Sequence, residues 1–150
     1  MTPSEVFDLI KLKFPQVAQE ELTNAVLVPR ELILDLVSYL NSGELSFDNL
    51  HCLTAIDKKE KIELVYIFYS LKIRCQVILK VYFSLDDLEV ESLANIYRSA
   101  DWFEREVYDL FGVKFSNHPD LRRILNPDYW KGYPLRKDYT HPDFIKKPRY

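Results

Sequence analysis

Three carboxylates stand close together in this sequence, Glu104, Glu106 and Asp109, with Arg105 between the first two. Paired carboxylates can divide acid and base roles when their surroundings push their pKa values apart. On a helix Glu106 and Asp109 would be neighbours at i, i+3. Arg105 among them favours an ion-pair network that keeps the acids ionised, so a charged helix face outweighs a catalytic cluster. His51, His118 and His141 lack the spacing that brings two imidazoles to one metal, and Cys52 and Cys75 match no zinc or iron–sulfur pattern. The glycines at 43, 112 and 132 are too far apart to cradle a phosphate. The basic pairs Arg122-Arg123 and Arg136-Lys137 flank Trp130, where guanidinium groups could clamp a phosphate or stack on a ring. Pro119, Pro127 and Pro134 beside them favour fixed turns and a shaped protein contact anchored by Arg–carboxylate pairs. No residue is assigned a catalytic, cofactor-binding or metal-binding role. The pattern reads as an interaction protein more than an enzyme.

The elements that must position these residues follow from composition and period. The chain has 150 residues, 47% hydrophobic and 14% aromatic, enough for one core of ordinary domain size. Its formal charge of −3 gives no support to a nucleic-acid binder. No apolar run nears the roughly 20 residues that span a bilayer, and the N-terminus is polar, which points to a soluble cytoplasmic protein. The charge is unevenly spread. Residues 114–150 hold nine basic side chains against four aspartates, a net of +5, which leaves −8 for residues 1–113 out of the −3 of the whole chain.

Thr2-Pro3-Ser4-Glu5 has a capping box with proline at the first helical position, so the spacing predicts a helix over 3–13, closed by Pro15. Ala25–Val28 reads as a short buried strand, followed from Pro29 by a helix that ends at Gly43. Residues 50–56, 62–69 and 73–82 are rich in β-branched and aromatic side chains and are joined by short polar connections, as in antiparallel hairpins. The expected fold is α+β, a mixed and mainly antiparallel sheet of about four strands with helices on one face. Between Glu91 and Phe111 two short helices are expected, with Ser92 and Asp101 as caps and Gly112 as the stop. Residues 1–113 then form the globular domain. Residues 114–150, with five of the eight prolines and seven of the 21 aromatics, form an extended Pro/aromatic/basic arm. Too proline-rich for regular structure and too aromatic for a solvated linker, the arm is expected to pack on a partner surface.

The run from Glu104-Arg105-Glu106 through Asp109-Leu110-Phe111-Gly112, His118-Pro119 and Arg122-Arg123, with Trp102 before it and Gly132-Tyr-Pro134-Leu135-Arg136-Lys137-Asp138-Tyr139 after it, resembles a known family. It is similar to the 30 kDa family, the C subunits, of respiratory complex I, the proton-translocating NADH:quinone oxidoreductase. The resemblance implies a cofactor-free component of the peripheral arm. Its implied partners are the D subunit of the quinone module, chiefly, and neighbouring iron–sulfur subunits. FMN, iron–sulfur clusters and quinone would sit in those partner subunits. It implies a peripheral location on the cytoplasmic face of the inner membrane, reached only through the complex, with no nucleic acid bound. Trp102, Glu104, Arg105, Glu106, Asp109, Phe111, Gly112, His118, Pro119, Arg122, Arg123, Pro134, Leu135, Arg136, Lys137 and Asp138 become structural and interface residues by the same resemblance. Charge reversal at Arg122 and Arg123 is then expected to weaken assembly more than folding. The family has relatives in membrane-bound hydrogenases and in complexes served by other electron donors, and the equivalent component of one of these is the alternative.

Overall fold

A computed structural model describes residues 1–141 and 143–145. Helix α1 (Pro3–Lys13) begins as its capping box dictates: the Glu5 amide donates to the Thr2 hydroxyl, and the Thr2 amide donates to the Glu5 carboxylate at 2.7 Å. Strands β1 (Ala18–Gln19) and β2 (Val26–Leu27) follow, then a 3₁₀ turn (Arg30–Leu32) and helix α2 (Ile33–Asn41). The hairpin strands are β3 (Asn49–Asp57), β4 (Lys61–Ser70) and β5 (Cys75–Ser84). A short β6 (Glu89–Glu91), helix α3 (Arg98–Phe111) and β7 (Lys114–Ser116) complete the elements.

The main sheet has the order β1-β2-β5-β4-β3, antiparallel except for the parallel β2–β5 pair. Its register follows from the period-2 pattern of β4. Ile62, Leu64, Tyr66 and Phe68 are fully buried on one face and stand opposite Phe83, Val81, Leu79 and Val77 of β5. Val6 and Ile10 of α1, Ile33, Leu36, Val37 and Leu40 of α2, and Ala100 and Val107 of α3 join them in one continuous core. Helices therefore pack on one face of the sheet, as the sequence predicts.

The sheet has five strands where about four were expected. The extra one, β1, is two residues long, too short to show any alternation, and is held by a turn in which Asn24 takes φ +55°. The two short helices expected between 91 and 111 are one, α3. Residues 93–97 form a turn instead, in which the Leu93 carbonyl accepts from the amides of Ile96 and Tyr97. Asp101 is thus inside the first turn of α3, where its charge suits the helix dipole, and is not a cap; the cap position is Tyr97. Ser92 caps no helix, and its hydroxyl donates to a side chain of α3. β6 pairs in parallel with β7, so the first residues of the expected arm belong to a small second sheet.

Gly112 ends α3 at φ +80°, and a Cβ built there would lie 2.5 Å from the ring of Tyr133. Gly43, at φ +65°, has open space around the same position. Gly43→Ala is expected to cost about 1 kcal/mol, the left-handed penalty alone. Gly112→Ala adds a clash with Tyr133 and is expected to cost about 3 kcal/mol in denaturant unfolding, part of it recovered by adding Tyr133→Ala.

Candidate functional site

Residues 118–126 run alongside α3 and touch it at each turn, and the carboxylates of α3 decide how. Asp109 has no exposed surface. It accepts hydrogen bonds from the backbone amides of Ile124, Leu125 and Asn126 at 3.1, 2.8 and 2.8 Å, and from the Asn126 side chain at 3.0 Å. The Arg123 guanidinium lies 2.6 Å from its Oδ1. Burial alone would raise the Asp109 pKa; these bonds, those from Asn126 foremost, overcome that and hold it at about 2. Arg123 also donates to the backbone carbonyls of Asp109 and of Gly132, at 2.9 and 3.0 Å.

The arm satisfies the end of α3 in the same stroke. A helix leaves its last carbonyls without partners. Here the Tyr108 carbonyl accepts from Gly112, the Asp109 carbonyl from Arg123, and the Leu110 carbonyl from the Leu135 amide at 3.1 Å. Tyr133 fills the space above Gly112, with the Arg123 and Arg136 guanidinium carbons 5.4 and 6.0 Å from its ring centre. Farther on, the Lys137 amide donates to Asp57 at the end of β3 at 2.7 Å, and this bond, first among its causes, lowers the Asp57 pKa.

Glu104 sits one turn and a half earlier, also without exposed surface. The Ser92 hydroxyl donates to it at 2.5 Å and the Leu93 amide at 2.7 Å. Desolvation raises its pKa to about 7, partly offset by those two bonds and reinforced by Asp101. His118, whose side chain is fully buried, lies 3.8 Å from Glu104 and 3.5 Å from Asp101. The Asp120 amide donates to its Nδ1 at 3.0 Å, which places the ring proton on Nε2, directed at the Asp101 carbonyl at 3.2 Å. The Tyr66 hydroxyl, fully buried, has no hydrogen-bond partner among the described residues.

The expected ion-pair network around Arg105 does not form. A helix turns 100° per residue, so Glu104, Arg105 and Glu106 point in three directions. Glu104 is buried, Glu106 is exposed, and Arg105, 8% exposed, reaches the carbonyls of Arg122 and Arg123 at 3.4 and 3.5 Å. Glu106 and Asp109 are likewise not brought together, since one faces water and the other the arm. The basic pairs do not act on Trp130, which stacks on His141; Tyr133 takes that role for Arg123 and Arg136. Arg122 and Arg123 also part ways: Arg122 is exposed and pairs with Asp120, whereas Arg123 is the clamp just described. Arg136 and Asp138 pair locally through two hydrogen bonds. Phe111 is buried and Pro119 exposed. His51, on β3, and His141 take no part in the α3 cluster. Sequence reasoning missed Asn126, Tyr133 and Asp57, whose roles depend on segments far away in the chain.

The arm was expected on partner subunits, yet its inner side is fastened to its own domain. Pro142 and residues 146–150 of that stretch lie outside the described residues. Facing outward are Leu125, Tyr129, Leu135, Phe144 and Ile145, joined by Trp102 of α3, all more than half exposed.

Comparison with known proteins adds that residues 26–144 match the family described as "Respiratory-chain NADH dehydrogenase, 30 Kd subunit". The chain belongs to this family. It is 42% identical over 118 residues to the NADH-quinone oxidoreductase C subunit of Geobacter sulfurreducens, covering 76% of this chain and 72% of that protein. It is 39% identical over 123 residues to the fused C/D subunit of the same enzyme in Acidiphilium cryptum, covering 75% of this chain and 21% of that one. Among the relatives compared, the aligned stretch takes up between 20% and 72% of their length, so this 30 kDa-family chain corresponds to a part of the longer ones. A chain of the membrane-bound sulfane sulfur reductase, an archaeal respiratory membrane complex, superposes with a TM-score of 0.76 at 27% identity, covering 91% of this chain and 85% of that one. All the sequence motifs of the family resemblance lie on α3 and the arm clamped to it.

Two outcomes test the clamp. Asp109→Asn is expected to cost about 3 kcal/mol, because it leaves Arg123 and three amides facing a neutral group, and to expose the arm to limited proteolysis first. Glu104 ionises at about pH 4.5 when unfolded but only near 7 when folded. Its stabilising contribution is therefore complete below about pH 4.5 and is lost as the pH climbs to about 7. Glu104→Gln is expected to gain on the parent by about 3 kcal/mol between pH 4.5 and 8 in denaturant titrations, and a gap that stays constant with pH would contradict the assignment.

Proposed function

We propose that this chain is a cofactor-free structural component of the peripheral arm of a proton-translocating NADH:quinone oxidoreductase, packed against the D subunit of the quinone module. The observation that carries this reading is the clamped arm. Its inner groups are held by α3, while its apolar side chains, Leu125, Tyr129 and Leu135, face outward in a family whose relatives include fused C/D subunits. Large exposed apolar side chains on a fixed backbone are what a protein interface requires. Fusion in those relatives supports a lasting association between the two regions that are joined. On this reading Trp102, Arg122 and the outer side of the arm contact partners, while Glu104, Asp109, Gly112, His118 and Arg123 hold the arm in shape.

Electrons would pass from NADH through FMN and iron–sulfur clusters in partner subunits to quinone, and this chain would keep the modules in register. Among the described residues no helix is long and apolar enough to cross a membrane. The chain would thus meet the cytoplasmic face of the inner membrane through the complex. The likeness to the sulfane sulfur reductase chain supports a second reading, the equivalent component of a respiratory complex or membrane-bound hydrogenase with another donor.

Mild-detergent purification of the tagged chain from its native membrane separates the readings. A flavin-bearing NADH-oxidising module recovered with the quinone-module partner supports the first, a sulfur- or hydrogen-reducing module moves the chain to the second, and a chain recovered alone removes both. In the same assay Tyr129→Ala and Leu125→Ala are expected to lower recovery of the complex about tenfold while shifting the melting temperature of the chain by no more than about 1 °C.

A further inference from the structure

The interface proposed above contains one group whose chemistry is unfinished. Arg105 is only 8% exposed, yet no carboxylate among the described residues pairs with it. Its guanidinium meets two backbone carbonyls at 3.4 and 3.5 Å through Nε and one terminal nitrogen, both long for charged hydrogen bonds. Buried charges are ordinarily paired, because a neutral carbonyl offsets only part of the lost hydration. In this the largely buried charge of Arg105 differs from the described arginines of the arm, which are paired: Arg122 with Asp120, Arg123 with Asp109, Arg136 with Asp138. Trp102 lies across the same guanidinium, 5.3 Å from ring centre to carbon, and is 61% exposed. An exposed indole stacked on an under-coordinated arginine is the usual composition of an interface anchor, and here the arginine also touches the arm at Arg122 and Arg123.

We infer that Arg105 and Trp102 together form a docking point for a carboxylate-bearing segment of a partner subunit. The acid completes the Arg105 fork, and apolar residues beside it cover the indole. This rests on the reading under Proposed function and adds the chemistry of the partner's contact. A polyanion such as RNA fits less well. Arg122 is already neutralised by Asp120, and Glu106 one turn along α3 from Trp102 is an exposed anion, so among the described residues beside Trp102 only Arg98 adds an exposed cation, too little to follow a phosphate chain.

The test replaces Trp102 with p-benzoylphenylalanine in the full chain within the membrane complex, followed by irradiation and mass spectrometry. A cross-link to one partner polypeptide, at a peptide containing Asp or Glu, is the expected result. Arg105→Glu is then expected to lower recovery of the complex about tenfold, with recovery restored by reversing the charge of that partner acid. Cross-links confined to this chain, to lipid, to nucleic acid or to a partner segment without an acid overturn the inference. Should the Trp102 variant fail to assemble, the same probe at the exposed Arg122 position reads the same surface. Co-purification reports separately on the parent reading. A chain that travels with NADH-oxidising subunits but gives no acidic cross-link sinks only the docking point. An acidic cross-link in a complex lacking those subunits retains the docking point and removes the parent reading.

Discussion

The path of residues 122–132 is arranged around the burial of Asp109. A carboxylate with no exposed surface must be neutralised or fully hydrogen-bonded. Three consecutive amides can satisfy it only if residues 124–126 curl around it, and Arg123 can reach it only if the preceding residues run alongside α3. Once these are in place, the Arg123 fork also reaches Gly132, and Leu135 is brought to the helix end. One buried charge thus converts a proline-rich stretch without helix or long strand into a shaped surface.

Glu104 has the same position in the fold and the opposite chemistry. Two donors, Ser92 and the Leu93 amide, are too few to hold it ionised at low pH, and burial keeps its proton to about 7. It ties the turn after β6 to α3, while His118 ties the turn after β7 to the same helix turn. The short parallel β6–β7 pair is held at its ends by these side chains as much as by its own ladder. Helix α3 is therefore the organising element: its apolar side joins the core, and its acidic side fastens the segments that follow Gly112.

Much of this was legible in the sequence where the signal is local. The capping box at Thr2 and Glu5, the alternation of β4 and β5, the Gly112 stop and the charge asymmetry each depend on neighbours along the chain, and each appears as expected. What the sequence hid was partnership at a distance. Arg105 next to Glu104 and Glu106 suggested ion pairs, yet on a helix adjacent residues diverge, and the three side chains serve the arm, the β6 turn and the solvent. Arg122 and Arg123 look alike in sequence but have opposite environments. β1 and β6, at two and three residues, are too short to leave a periodic trace.

The α+β class, the two N-terminal helices and the three hairpin strands, the division in charge at residue 113 and, through the motif between Trp102 and Asp138, the family all follow from the sequence alone. Those are properties of spacing and composition, and spacing survives any rearrangement of neighbours in space. Packing in three dimensions decided the rest: which buried acid keeps its proton to about pH 7, which is held ionised, which arginine clamps and which has no carboxylate partner among the described residues. Each of those outcomes depends on how many donors a fold brings within about 3 Å of one carboxylate, and that number is set by contacts between segments far apart in the chain.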